Sequence, residues 1–244
     1  MARLILTFGY AVAKPFMRTG VADCVIEFRC NFAWGKLHSS ERLKMLLSQR
    51  PEKRVFEHWT EGLEGWSLTD AEMRGLGLIE FCEGFDAIEL WANSEPETQL
   101  QLIWLLDHLR PHANVASRLS LVQTDTWDSE GRPEDWIAQR PHALSIHADH
   151  LSLATAAWEA WRAPAPVAWF ELLSRDLRPL PQLRNTTIAL LEELPSRTTG
   201  LGATEMQMLA RLAAGYTRPY DLIPRHDRPN DRVTYGLWEA GALL

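Results

Sequence analysis

Between Ala87 and Leu109 the chain reads Ala-Ile-Glu-Leu-Trp, then a polar turn, Ala-Asn-Ser-Glu-Pro-Glu-Thr, then Gln-Leu-Gln-Leu-Ile-Trp-Leu-Leu-Asp-His-Leu. The apolar residues at 87, 88, 90 and 91 predict a short buried strand. Ser94 with Glu97 three residues later fits a capping box, with Pro96 in the first turn of the helix that follows. From Leu100 to Leu109, positions 100, 102, 103, 104, 105, 106 and 109 are apolar. They cover well over half of a helix surface, so this helix is expected to be buried rather than amphipathic. It is the predicted spine of a layered core.

The rest of the chain falls into place around that unit. Residues 3–8 form an apolar run ending at Gly9, a helix-compatible stretch follows to Gly20, and Val25-Ile-Glu-Phe28 makes a second strand. Arg118 to Thr124 reads as the strand returning from the 87–109 unit. Strand–helix–strand alternation calls for parallel strands joined by right-handed crossovers. Glu41 to Arg50 reads as a helix with Leu43, Leu46 and Leu47 on one face, and Thr69 to Glu72 as another capping box. Residues 51–66 are too polar and irregular to carry a pattern.

After Asp125 no further strand is expected. Residues 126–141 read as a connector with a short helix around Pro133 to Gln139. Helices follow from Asp149 to Arg162, from Val167 to Ser174, from Pro181 until Pro195 stops it, and from about 203 to 214, ended by Gly215. In the last of these Gly202 serves as N-cap and Glu205 completes the box. The expected fold class is therefore α/β. A Rossmann-like domain over residues 1–125, with a small, mostly parallel sheet and flanking helices, is followed by an all-helical domain over 126–244 that ends in a partial winged-helix-like unit.

Composition narrows the function classes. A hydrophobic content of 46% and a charged content of 23% suit a globular protein, and the net charge of -7 argues against non-specific nucleic-acid binding. Eleven tryptophans are best used as core filling. Three cysteines give no disulfide framework, and a strand between Cys24 and Cys30 would hold those two out of bonding reach, so a reduced, cytoplasmic setting is expected. Residues 1–13 imitate a signal peptide but are short and interrupted by Thr7, Gly9 and Tyr10. No apolar run reaches the length of a membrane span.

Three strings together resemble one known family. They are Ile88-Glu-Leu-Trp through Gln99-Leu-Gln-Leu, Ala157-Trp-Glu-Ala-Trp-Arg-Ala-Pro164, and Leu190-Leu-Glu-Glu-Leu-Pro195 through Gly200-Leu-Gly-Ala-Thr-Glu205. The chain resembles, over most of its length, the bacterial family catalogued as domain of unknown function 1835. That family has no established activity, so the resemblance implies architecture and not chemistry. Relatives often carry Asn-Gly-Asp-Ser where this chain has Phe8-Gly-Tyr-Ala11, and a Glu-His-Asp cluster where it has Ala92-Asn-Ser-Glu95. Chemistry that needs those carboxylates is not implied here.

Known catalytic and cofactor motifs are not met. Gly35-Lys36 is followed by Leu37 and lacks the leading glycine of a phosphate loop, and Gly75-Leu-Gly77 and Gly200-Leu-Gly202 lack the third glycine of a dinucleotide fingerprint. His142, His147 and His150 with Asp149 read better as helix-start polar groups than as metal ligands, and Cys82 has no neighbouring base. No cofactor and no metal are expected. The C-terminal helices carry six arginines against five acids from Arg197 onward, which makes a DNA reader the lesser reading. Met206, Leu209 and Leu212 make an apolar face, so self-association or contact with a protein partner is favoured over nucleic acid.

Function is expected in the crevice beyond the carboxyl ends of the parallel strands. The residues that land there are Gly9 and Tyr10 after the first strand and Arg29 and Asn31 after the second. After the third come Asn93, Ser94 and Glu95, and after the fourth Thr124 and Asp125. A helix opening at 95–97 favours an anion, and Arg29 could hold a carboxylate or phosphate. The competing reading has Ser94 capping its helix and Arg29 paired with a nearby acid. The expected ligand is a small anion, nucleotide-like in character. Its alternative is a transferase or hydrolase with Asp125 or Glu95 as general base and Arg29 as electrostatic stabiliser.

Overall fold

The computed structural model describes residues 1–8, 13–65, 75–124, 137, 142–225 and 233–244. In chain order the elements of its first half are β1 (Arg3–Phe8), α1 (Ala13–Thr19), β2 (Cys24–Phe28), α2 (Ser40–Leu47), β3 (Leu63–Glu64), α3 (Leu78–Glu83), β4 (Ala87–Ala92), α4 (Pro96–Leu109), α5 (Ala113–Ala116) and β5 (Leu119–Gln123). They are followed by β6 (Leu144–Ser145), α6 (Ala148–Arg162), α7 (Val167–Leu173), α8 (Leu183–Glu192), α9 (Ala203–Ala213), α10 (Pro219–Leu222) and α11 (Leu237–Gly241).

The strands form one six-stranded mixed sheet in the order β3-β2-β1-β4-β5-β6. The four central strands are parallel, as the alternation predicts, and the two-residue edge strands run antiparallel to β2 and β5. Together with the flanking helices this is an α/β fold. Side chains alternate across it because the strand period is two. Leu4, Leu6, Phe8, Cys24, Ile26, Phe28, Ile88 and Leu90 face one layer, while Ile5, Val25, Trp91 and Val122 face α1, where Phe16 meets Trp91 edge-on at 4.7 Å.

Helix α4 is the buried spine that its sequence calls for, and eleven of its residues, from Pro96 to Leu109, are buried. Helices α6 and α8 pack against it and α7 packs on α6. One buried cluster consequently runs from Leu4 through Trp104 and Trp158 to Leu190. Trp59, Trp91 and Trp169 are likewise buried, but Trp238 is 86% exposed.

Several expectations are corrected. A strand does follow residue 125: β6 pairs with β5 through Ser120↔Ser145 and Leu121↔Leu144. Residues 51–66 contribute β3 and a turn of 3-10 helix, Trp59–Gly62, packed on β2. The capping box at Thr69 to Glu72 and the short helix around Pro133 to Gln139 lie outside the described residues, apart from Ile137, which is buried. Ser94 is not the N-cap of α4. That position is taken by Glu95, whose backbone N–H donates to Asn93 Oδ1 at 3.1 Å, and Pro96 is the first helical residue. The start of α9 is as expected, with the Gly202 N–H donating to Glu205 Oε2 at 2.9 Å.

Candidate functional site

The shift of Glu97 by one helical position carries its side chain away from its own N-terminus. Instead of reaching back, its carboxylate accepts the backbone N–H groups of Phe32, at 2.8 and 3.0 Å, and of Ala33, at 2.8 Å, in the chain leaving β2. One turn on, Gln101 Nε2 donates to Glu97 Oε1 at 3.3 Å and to the Cys30 carbonyl at 2.7 Å. These bonds clamp the exit of β2 onto the first turns of α4. The C-terminal segment closes over the junction, where Asn31 Nδ2 donates to Glu239 Oε1 at 2.8 Å and Trp34 meets Tyr235 edge-on at 5.2 Å.

These three pieces of chain enclose a cavity of about 550 Å³, with Trp34, Glu97, Gln101, Val233, Tyr235 and Glu239 among its walls. Its size is that of small-molecule sites, and it sits where ligands of open α/β sheets bind, beyond the carboxyl ends of parallel strands. Burial pushes the Glu97 carboxyl up to about 7, with the Glu239 charge adding to the rise against the lowering effect of the three donors. A carboxyl poised there can give or take a proton near neutral pH. Burial likewise pushes the Tyr235 hydroxyl up to about 12, helped by Glu193 and Glu205, which keeps it protonated.

The sequence-predicted residues are divided by the fold. Arg29, Asn31 and Glu95 line the cavity. Asn93 is wholly buried and closes the turn before α4, and neither it nor Ser94 lines the cavity. Gly9, Tyr10 and Asp125 lie outside the described residues. Arg29 is committed within the fold, because its Nε and Nη2 both meet Glu27 Oε1 at 2.9 Å. The other Glu27 oxygen accepts the Ala13 N–H at the start of α1 at 3.1 Å.

Sequence reasoning missed Trp34, Gln101, Tyr235 and Glu239 and mistook the role of Glu97. One signal was present: Gln101 lies between Leu100 and Leu102 on a helix otherwise rich in leucine, where a buried amide needs a polar partner. The other candidate centres lie outside the cavity lining. His147, Asp149 and His150 bond among themselves at the start of α6, with the His147 N–H donating to His150 Nδ1 at 3.2 Å and the His150 N–H to Asp149 Oδ1 at 2.9 Å. Cys82 is buried and its thiol is pushed up to about 12, which removes it as a nucleophile near neutral pH. Among the described residues no group of three or more His, Cys, Asp or Glu side chains is placed to hold a metal ion.

Fold and cavity define an α/β protein with a closed-over pocket at the carboxyl edge of its sheet. No protein-family model, no curated protein and no solved structure matches the chain.

Proposed function

We propose that the chain binds a small organic molecule in the cavity between the exit of β2, the first turns of α4 and the C-terminal segment. The observation that carries this reading is the desolvated Glu97 carboxyl in the wall of a cavity of about 550 Å³. A thermal-shift screen of nucleotides, phosphorylated metabolites, amino acids and amines is the test, run on the full chain and on Val233→Trp, which partly fills the cavity with an indole. Compounds that stabilise the parent chain and leave the filled variant unmoved support the site. Shifts that survive the filling unchanged reject it.

Catalysis in the same cavity is the second reading, and the position of the Glu97 carboxyl near 7 favours it. Glu97 replaces Glu95 and Asp125 as the acid–base candidate in that reading, because its proton is held near working pH. Turnover of a bound compound that falls in Glu97→Gln by more than its affinity does separates enzyme from binding protein.

For the C-terminal helices, contact with a second copy or another protein is favoured over DNA. Met206, Leu209 and Leu212 are exposed on α9, and its one arginine, Arg211, donates to the carbonyls of Asp221, Leu222 and Ile223. The resemblance to the family of unknown function stands beside these proposals as a proposal of kinship, and adds no chemistry to them.

A further inference from the structure

Donors such as Arg29, Arg225, Thr234 and Tyr235 line the cavity beside acceptors, but the one lining side-chain atom that is buried without a hydrogen-bond partner among the described residues is an acceptor. Gln101 is 2% exposed, and its Nε2 is fixed by the Cys30 carbonyl, which can only accept, and by a longer bond to Glu97 Oε1. The amide therefore cannot be turned over, and its carbonyl oxygen is left buried in the cavity wall with no hydrogen-bond partner among the described residues. A buried acceptor without a donor is costly, so a ligand seated against this wall gains if it brings a donor to Gln101.

The charges tell the same story. Glu97 and Glu239 both line the cavity, and neither forms a salt bridge among the described residues. The two arginines of the lining already have company: Arg29 is held by Glu27, and Arg225 lies over the Tyr220 ring at 4.8 Å. The remaining wall offers aromatic faces and edges at Trp34 and Tyr235, which suit both a hydrocarbon body and a cation.

We propose that the ligand of this cavity carries a cationic nitrogen, a primary amine or guanidine, that donates to Glu97, Glu239 and the side-chain carbonyl of Gln101, with its apolar body against Trp34 and Tyr235. The inference rests on the cavity being a binding site and adds the class of ligand. Binding such a cation draws Glu97 into its charged form. The titratable and charged groups that line the cavity with Glu97 are Glu95 at the N-cap of its helix, Glu239 on α11, Arg29 and Cys30 after β2, and Tyr220, Arg225 and Tyr235 in the covering segment. Of these, the Cys30 thiol is pushed up by burial and the Tyr235 hydroxyl sits at about 12, so neither changes charge between pH 5 and 8. Across the range below about 7 the affinity for an amine should accordingly rise with pH, by up to roughly tenfold per unit, and level off above it.

Calorimetric titration of the full chain with 2-phenylethylamine, 2-phenylethanol and 3-phenylpropanoate tests the charge at nearly constant shape. The amine is expected to bind most tightly and the carboxylate most weakly. Glu239→Gln should weaken the amine by tenfold or more and leave the alcohol unchanged, and Glu97→Gln should flatten the pH dependence. Equal or tighter binding of the carboxylate, no binding of the amine up to its solubility limit, or amine binding indifferent to both substitutions would overturn the inference. Val233→Trp separates this failure from that of the site itself. If the filled variant loses all three compounds but the charge order is reversed, the cavity stands and the ligand class falls. If it keeps them, the cavity falls too.

Discussion

A single carboxyl, that of Glu97, links local sequence, stability and site. Its value of about 7 in the fold lies above the ordinary 4.5, so between those two pH values the folded chain holds a proton that the unfolded chain has released. Stability therefore falls as pH rises through that window, at up to about 1.4 kcal/mol per unit, and the loss is complete above about 7. His108, which burial pushes down to about 4, acts in the opposite sense: it stays neutral in the fold and lowers stability as pH drops below 6.5. Urea unfolding over a pH series is expected to show the two trends partly offsetting one another in the parent chain. In Glu97→Gln the fall toward neutral pH should disappear and the histidine trend remain. A Glu97→Gln profile parallel to that of the parent would show that the carboxyl titrates at an ordinary value. None of this is legible from Ser94, Pro96 and Glu97 alone, since the bonds that hold the carboxylate come from Phe32 and Ala33, 65 and 64 residues away.

Among the elements, what was legible depends on length and period. The four parallel strands and helices α2, α4, α6 and α9 each span enough residues to carry a period of two or 3.6 or a capping signal, which places them in the chain, although α4 is capped by Glu95 rather than Ser94 and α2 ends at Leu47 rather than Arg50. Strands β3 and β6 have two residues each, too few for any period, and owe their form to the sheet edges they complete. The turn that leads into β3 is nonetheless tightly constrained. A Cβ on Gly62 would stand 1.9 Å from the Glu27 carbonyl oxygen in β2, so Gly62→Ala must displace one backbone from the other. Chemical denaturation of Gly62→Ala should show a loss of at least about 1–3 kcal/mol, the range of core overpacking, and a loss below about 0.5 kcal/mol would contradict this packing. On α9 the opposite holds. Leu209 and Leu212 are 47% and 52% exposed, so changing both to Glu should leave stability nearly unaltered and lower the mass of any assembly seen by light scattering. An assembly unaffected by that change would remove α9 as its contact.

At the scale of the whole molecule, the α/β class follows from alternation, but the cavity is a product of tertiary closure. Its floor comes from the end of β2 and the start of α4, which the strand–turn–helix grammar does place at the carboxyl edge of the sheet, and Arg29, Asn31 and Glu95 were reachable on that ground. Its cover comes from Val233 to Glu239, and the Asn31–Glu239 bond that ties cover to floor joins residues 208 apart, a distance over which no local pattern speaks. In the proposed function this junction, built around Glu97, is where the protein meets a ligand. Carbon-detected nuclear magnetic resonance of the Glu97 carboxyl over a pH titration, with and without the compound that most stabilises the chain, tests it most directly. The expected midpoint is near 7 in the free protein and moves when the compound is present. A midpoint near the ordinary 4.5, or one that the compound leaves where it was, would contradict it.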